Sequence, residues 1–158
     1  MSEITIEVQN SKQVAEHLAR AAKGSAVIYD RAMFEAVSTV KALAQKNLYP
    51  GHGVKTGTLR RSIFTQVEHS PLKGVVGVPP TVKYGPYVEY GTSPHVIEAR
   101  GRALAFKGSD GVMVFRKRVN HPGTKETPYM RPAAQESVAI VNEVFRVAVE
   151  AVVRLAAK

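Results

Sequence analysis

Residues 11–47 read SKQVAEHLARAAKGSAVIYDRAMFEAVSTVKALAQKN and contain a long, regular helical pattern. Small and apolar side chains recur along it at steps of three and four residues, the spacing that gathers them on one face of an α-helix. They are Val14, Leu18, Ala21, Ser25, Ile28, Ala32, Ala36, Val40 and Leu43. Asn10 or Ser11 can cap the start, so the sequence predicts a helix from Ser11 to about Asn47. Gly24 disfavours a helix by about 1 kcal/mol relative to alanine, which predicts a kink or a break there.

A second long helix is predicted at the carboxyl end of the sequence. Pro128 and Pro132 mark its first turn, where the fixed φ and missing N–H of proline are tolerated. From Ala133 onward, a heptad-like apolar stripe runs through Val138, Val141, Phe145, Ala148, Val152 and Leu155. This period again indicates one apolar helical face.

Strands and a short helix are predicted before and between the two long helices. The alternation from Glu3 to Val8 predicts a short first strand. The hydroxyls of Thr56-Gly57-Thr58 can cap a short helix through Leu59 to Ser62. Ile63 to His69 and Gly74 to Val78 then predict a β-hairpin with a loop of about four residues.

A second predicted hairpin follows a tyrosine-rich segment. That segment, Val82 to Gly91, suits either a short helix or an irregular turn. Val96 to Phe106 and Val112 to Val119 are strand candidates, and the Asp-Gly pair within Lys107 to Gly111 favours a tight turn between them. Asn120 to Thr127 contains Pro-Gly and no apolar period, which predicts an exposed loop.

The order of these elements indicates an α+β fold, in which an antiparallel sheet of short strands packs against a long N-terminal helix and a long C-terminal helix. A chain of 158 residues fits one domain, so a single domain over residues 1–158 is expected. Hydrophobic residues make up 44% and charged residues 22%, a balance that supports a folded core rather than disorder.

The formal charge of +9 is concentrated in a basic hairpin and loop region over residues 96–131. Between Arg100 and Arg131, only Asp110 and Glu126 are acidic. The basic residues there are Arg100, Arg102, Lys107, Arg116, Lys117, Arg118, Lys125 and Arg131. Such a cluster favours a phosphate backbone or an acidic protein surface, while a solvated loop is the plainer alternative. If residues 116–118 are successive strand positions, Arg116 and Arg118 share one face and Lys117 points to the other.

No pattern for catalysis or metal binding is present. Cysteine is absent, and the five histidines fall in five predicted elements without the His-x-x-x-His spacing of a helical zinc site. The serines lack a nucleophile-elbow frame, and no acidic pair suits general acid–base chemistry. We therefore expect no enzyme, no cofactor and no metal. The amino terminus lacks the order of a signal peptide and no apolar run reaches membrane length, so we expect assembly in a cytoplasm and no membrane partner.

Four short motifs follow one another in a fixed order. They read KTGTLRRSI at 55–63, YGPYVEYGT at 84–92, HPGT at 121–124 and PYMRPA at 128–133. The second motif predicts an aromatic turn around Tyr87, in which Glu89 accepts backbone N–H bonds and Gly91 lets the chain change direction. In the last motif, Pro128 and Pro132 preset the start of the helix.

Together these motifs resemble the small tail-component and neck proteins of long-tailed bacteriophages, also called tail-completion or head–tail joining proteins. The resemblance covers about residues 10–155. It implies a structural protein of the virion neck whose subunits form a ring, six copies being the first expectation and twelve the alternative. It also implies three kinds of partner: a head-completion or connector protein, a tail terminator or tail tube protein, and genomic DNA that passes through the ring without sequence specificity.

The residues that would contact the DNA channel or an acidic partner are Arg100, Arg102, Lys107, Arg116, Lys117, Arg118 and Lys125. A non-specific DNA-binding module that uses the 100–131 cluster is the alternative function. Against it, the sequence contains no helix-turn-helix or aromatic stacking platform. An enzyme of unknown type is the third hypothesis.

Overall fold

The computed structural model describes residues 11–51, 53–54 and 56–157. The strand predicted at Glu3 to Val8 lies outside them. The fold is α+β, as the sequence predicts. Its elements are α1 (Ser11–Asn47), β1 (Tyr49–Pro50), β2 (Gly53–Val54), α2 (Thr58–Ser62), β3 (Phe64–His69), β4 (Leu72–Gly77), α3 (Gly85–Tyr90), β5 (His95–Glu98), β6 (Leu104–Lys107), β7 (Met113–Arg116), β8 (Arg118–His121) and α4 (Met130–Ala156). Among the described residues the strands form two-stranded pairs, and only β1–β2 is parallel.

The two long helices pack against each other and form the main body of the fold. Helix α1 runs through Gly24 without interruption, so the predicted break is wrong. The glycine faces α4, where a Cβ would lie 2.5 Å from Cδ2 of Leu155, so a side chain here would require that of Leu155 to move. The packing of α1 on α4 outweighs the helix propensity lost at one glycine.

The helix interface is built mainly from small side chains. In α1 the buried positions are Ala21, Ala32, Ala36, Val37 and Ala44, whereas Leu18 of the predicted stripe is exposed. In α4 the buried residues are Ala133, Ser137 and Ala148, and Val138 is exposed. The helical period therefore predicts both helices correctly but places the buried stripe inaccurately.

The core lies where the end of α1 meets α2 and the start of α4. Leu48 and Ile63 are fully buried there. The buried cluster consists of Ala44, Leu48, Leu59, Ile63, Val82, Tyr129 and Ala133.

The first hairpin pairs β3 with β4 and packs against α1. Its turn contains two residues, Ser70 and Pro71, and not the four predicted. The register extends closer to the turn because Leu72 pairs with His69 and Lys73 pairs with Glu68, whose carboxylate lies 3.8 Å from the lysine Nζ.

Candidate assembly and nucleic-acid interface

The most prominent surface feature is a two-stranded ribbon over residues 95–121, which we name the arm. Its base pairs β5 with β8, and its tip pairs β6 with β7. Within the described residues, β6 and β7 make extended contact only with each other. The tip of the arm is therefore not packed on the helical body.

The arm is interrupted in the middle, which differs from the continuous second hairpin predicted. Glu98 pairs with Arg118 and Leu104 pairs with Arg116, so residues 99–103 on one side oppose Lys117 alone on the other. The ladder persists at one edge of this bulge, where the Ala99 N–H donates to the Lys117 carbonyl at 2.9 Å. The bulge contains Arg-Gly-Arg and no apolar alternation to hold it in the ribbon.

The tip turn lies where the Asp-Gly pair predicts it. The Gly108 N–H donates to the Val112 carbonyl at 2.8 Å, and the Asp110 carboxylate accepts the Val112 N–H at 3.1 Å. Gly111 has a φ of 78°, which glycine adopts without strain.

The base of the arm includes part of the segment predicted as an exposed loop, so that prediction is wrong in its first half. Asn120 and His121 belong to β8, and Thr124 exchanges two backbone hydrogen bonds with Thr92 at 3.0 and 3.2 Å. The ring centroids of His95 and His121 are 5.0 Å apart. Apolar period alone could not predict this pairing, because the Pro-Gly pair in the segment is typical of an exposed turn.

All seven predicted contact residues are exposed. The bulge carries Arg100 and Arg102, and Lys117 lies opposite them. Arg116 and Arg118 flank Lys117, which is a bend between strands, so the prediction that residues 116–118 are successive strand positions is wrong. The interrupted pairing thus brings five of the basic residues to one level of the arm. The other two are Lys107 at the tip and Lys125 beyond the base.

Part of this charge is compensated locally. Arg118 Nε lies 4.0 Å from a carboxylate oxygen of Glu98, its cross-strand partner, and both side chains are well exposed. An exposed pair at that separation is screened by water and holds neither side chain firmly. Arg118 therefore remains accessible to an external anion.

Glu89 links the tyrosine-rich helix α3 to the start of α4. The residue is 4% exposed, and its carboxylate accepts three backbone N–H bonds, from Tyr129 at 2.8 Å and from Met130 and Arg131 at 2.9 Å. The first turn of a helix has N–H groups without intrahelical acceptors and a positive dipole end, so a carboxylate there is strongly favourable. The sequence assigns Glu89 to backbone N–H bonds of its own turn, whereas the donors lie 40 or more residues further along the chain.

Gly91 ends α3 with a φ of 69° and a ψ of −170°, a conformation that only glycine adopts readily. A Cβ here would lie 2.5 Å from the Thr124 carbonyl oxygen and 2.9 Å from the Glu126 nitrogen. The chain can therefore turn from α3 into the base of the arm only with glycine at this point. Tyr87, the other residue predicted in this turn, is 60% exposed.

The two prolines lie on either side of the first helical residues of α4. Pro128 precedes the N-cap residue Tyr129, and Pro132 is the third residue of the helix. Because N–H groups in the first turn need no intrahelical acceptor, Pro132 costs no hydrogen bond there.

Tyr129 is buried in the core beside this junction. Burial, and secondarily the nearby negative charge of Glu89, raise the pKa of its phenol to about 12. The neutral phenol is therefore the form that the fold accommodates.

Two exposed surfaces were not predicted from the sequence. The first is the apolar tip of the arm, where Val112, Met113 and Phe115 are 60%, 49% and 62% exposed. The second is the outer face of α4, where Ile140 and Val147 are 47% and 51% exposed. A usable signal was present at the tip, since the four consecutive apolar residues 112–115, of which the last three lie in β7, give the ribbon apolar side chains on both faces.

The described part of the chain contains no cluster of three or more metal-ligating side chains. It also contains no helix that is long and apolar enough to span a bilayer.

These features define an α+β protein with large charged and apolar surfaces available for contacts. The model of the HK97-gp10-like family, described as "Bacteriophage HK97-gp10, putative tail-component", matches residues 12–91. The chain belongs to this family, which confirms the family resemblance and makes it a component of a phage tail. The matched residues contain the KTGTLRRSI motif and nearly all of YGPYVEYGT, whereas HPGT and PYMRPA lie beyond them. The match runs from α1 to the end of α3, so the arm and α4 lie beyond it. No curated protein and no solved structure matches the chain.

Proposed function

We propose that this protein is a ring-forming component of the phage neck, which joins the head connector to the tail and surrounds the channel for DNA. The family assignment to tail components supports the location. The proposal adds the neck, the ring and the channel.

The observation that carries the proposal is the arm. It exposes six lysine and arginine side chains, and its acidic residues over 95–121 are only Glu98 and Asp110. A channel that passes DNA of any sequence requires diffuse attraction to phosphate and no base readout. Basic side chains on a ribbon and its bulge, with no helix presented to a groove, suit that requirement.

In this assembly six copies form the ring, with twelve as the alternative number. A head-completion or connector protein binds one face of the ring, and a tail terminator or tail tube protein binds the other. A surface with both apolar and charged residues exposed, as at the arm tip and on α4, is typical of proteins that bind partners through several contacts.

The proposal is tested by the mass of the purified protein in solution and by electron microscopy of the same sample. The expected result is a closed ring with a mass six or twelve times the 17.2 kDa of one chain, either alone or after addition of the connector. A chain that stays monomeric with connector and tail proteins present would contradict the ring.

A non-specific DNA-binding module is the second candidate, favoured by the same basic arm. Such a module binds duplex DNA as a monomer and is dispensable for joining heads to tails. A neck ring instead is required for joining, whatever the DNA affinity of the isolated chain.

A further inference from the structure

The outer face of α4 carries a regular stripe in which acidic and apolar residues alternate. Glu136, Ile140, Glu143, Val147 and Glu150 follow one another at steps of four and three residues, so they share one helical face. All five are exposed, and they lie beside the face of the helix on which Ala133, Ser137 and Ala148 are buried. The described structure therefore leaves this stripe without a partner.

The stripe carries a net negative charge. Arg146 bonds both Glu143, at 2.6 Å, and Glu150, and Arg154 adds a weaker contact to Glu150 at 3.9 Å. The hydrogen bond from Arg146 lowers the pKa of Glu143, which keeps that carboxylate ionised. Glu136 has no ion-pair partner among the described residues, so the negative charge is least compensated at the Glu136 end of the stripe.

One face of the arm tip has the complementary chemistry. Directly paired residues share a face of a two-stranded ribbon, which places Ala105 beside Phe115 and Lys107 beside Met113 on the same side. All four side chains are exposed. This face therefore offers two large apolar groups and one cation, against the apolar groups and carboxylates of the stripe.

We propose that the arm tip of one copy docks on the outer face of α4 of the next copy, with Phe115 and Met113 against Ile140 and Val147 and with Lys107 near Glu136 or Glu143. This rests on the proposed ring and names the contact that builds it. Strands β7 and β8 with the intervening Lys117 span nine residues, so the arm extends over about 30 Å and can reach a neighbouring subunit.

The geometry of this contact favours a ring over a pair. The arm and the α4 stripe are different surfaces of one chain, so each copy uses its arm on one neighbour and its stripe on the other. Such head-to-tail contacts close into rings when the rotation allows, whereas a self-complementary patch stops at two copies.

Cysteine cross-linking in phage particles tests the contact. The natural chain has no cysteine, so Phe115→Cys combined with Ile140→Cys introduces the only two. Mild oxidation of purified particles should give a ladder of covalent multimers on a non-reducing gel. Phe115→Cys combined with Val27→Cys is the matched control, since Val27 is 70% exposed on α1, and it should give no ladder. Equal ladders from both pairs, or none from the first, would overturn the docking proposal.

A mixing experiment provides an independent test where the purified chain forms rings. Phe115→Asp disables the arm and Ile140→Asp disables the stripe, so each variant alone should be monomeric with unchanged circular dichroism. A mixture retains one intact arm and one intact stripe and should stop at two copies. Rings formed by either variant alone would refute the docking while leaving the neck ring intact, whereas absence of the protein from particles would refute the proposed function itself.

Discussion

Replacement of Glu89 is expected to be the most destabilising single change at the junction between α3 and α4. The carboxylate accepts three N–H groups, of which that of Tyr129 is buried and the other two are partly buried. A buried donor left without an acceptor costs about 1–3 kcal/mol, and the partly buried donors can recover some of this from water. We therefore expect Glu89→Ala to lower the free energy of unfolding by about 4 kcal/mol.

Glu89→Gln should cost about half as much, because the amide oxygen can replace one carboxylate oxygen while its NH2 group faces N–H donors. The assay is urea unfolding followed by circular dichroism, at one fixed protein concentration. Glu136→Gln on the exposed face of α4 is the control and should stay within about 0.5 kcal/mol of the natural chain. A loss below about 1 kcal/mol for Glu89→Ala would refute the view that this carboxylate holds the start of α4.

Three further sets of substitutions test the α3 turn, the buried tyrosine and the basic arm. Gly91→Val should cost about 3 kcal/mol through the strained backbone, measured by the same unfolding assay; unchanged stability would show that the turn is ordinary. Because the fold raises the pKa of Tyr129, the stability gained from its neutral phenol is complete below about pH 10 and is lost as the pH rises towards 12. A titration followed by phenolate absorbance should therefore show a tyrosine that ionises late. Tyr129→Phe should remove this late step. Replacing Arg116 and Arg118 together by Ser should reduce the slope of log binding constant against log salt concentration, measured for duplex DNA, by at most about two. Lys117→Ser should reduce this slope by less. An unchanged slope in the double variant would place Arg116 and Arg118 away from phosphate.

The helical and hairpin parts of the fold could be predicted because their signals are local. Apolar period alone places α1 and α4, and the turn chemistry of Asp110-Gly111 places the arm tip. The residues buried on each helix were predicted less accurately, because closely packed helices require small residues such as Ala36 and Ala148, whose hydrophobic signal is weak. The break predicted at Gly24 was wrong because the packing of α1 on α4 outweighs the helix propensity of one glycine.

The remaining errors concern contacts between residues distant in the sequence. No local pattern indicates that Glu89 accepts N–H bonds from the start of α4, or that Thr92 pairs with Thr124. The bulge at residues 99–103 could not be predicted either, because Arg-Gly-Arg is compatible with both a strand and a loop and only the pairing of the strands decides between them. The basic residues were identified correctly as a cluster in sequence, but their grouping around Lys117 follows only from the pairing.

Electron microscopy of lysates from phage that lack this gene tests the neck assignment most directly. A neck protein is expected to leave filled heads and complete-looking tails that fail to join, or that separate readily once joined, with normal particles restored when the natural chain is supplied in trans. Normal infectious particles from the deletion would contradict the neck assignment.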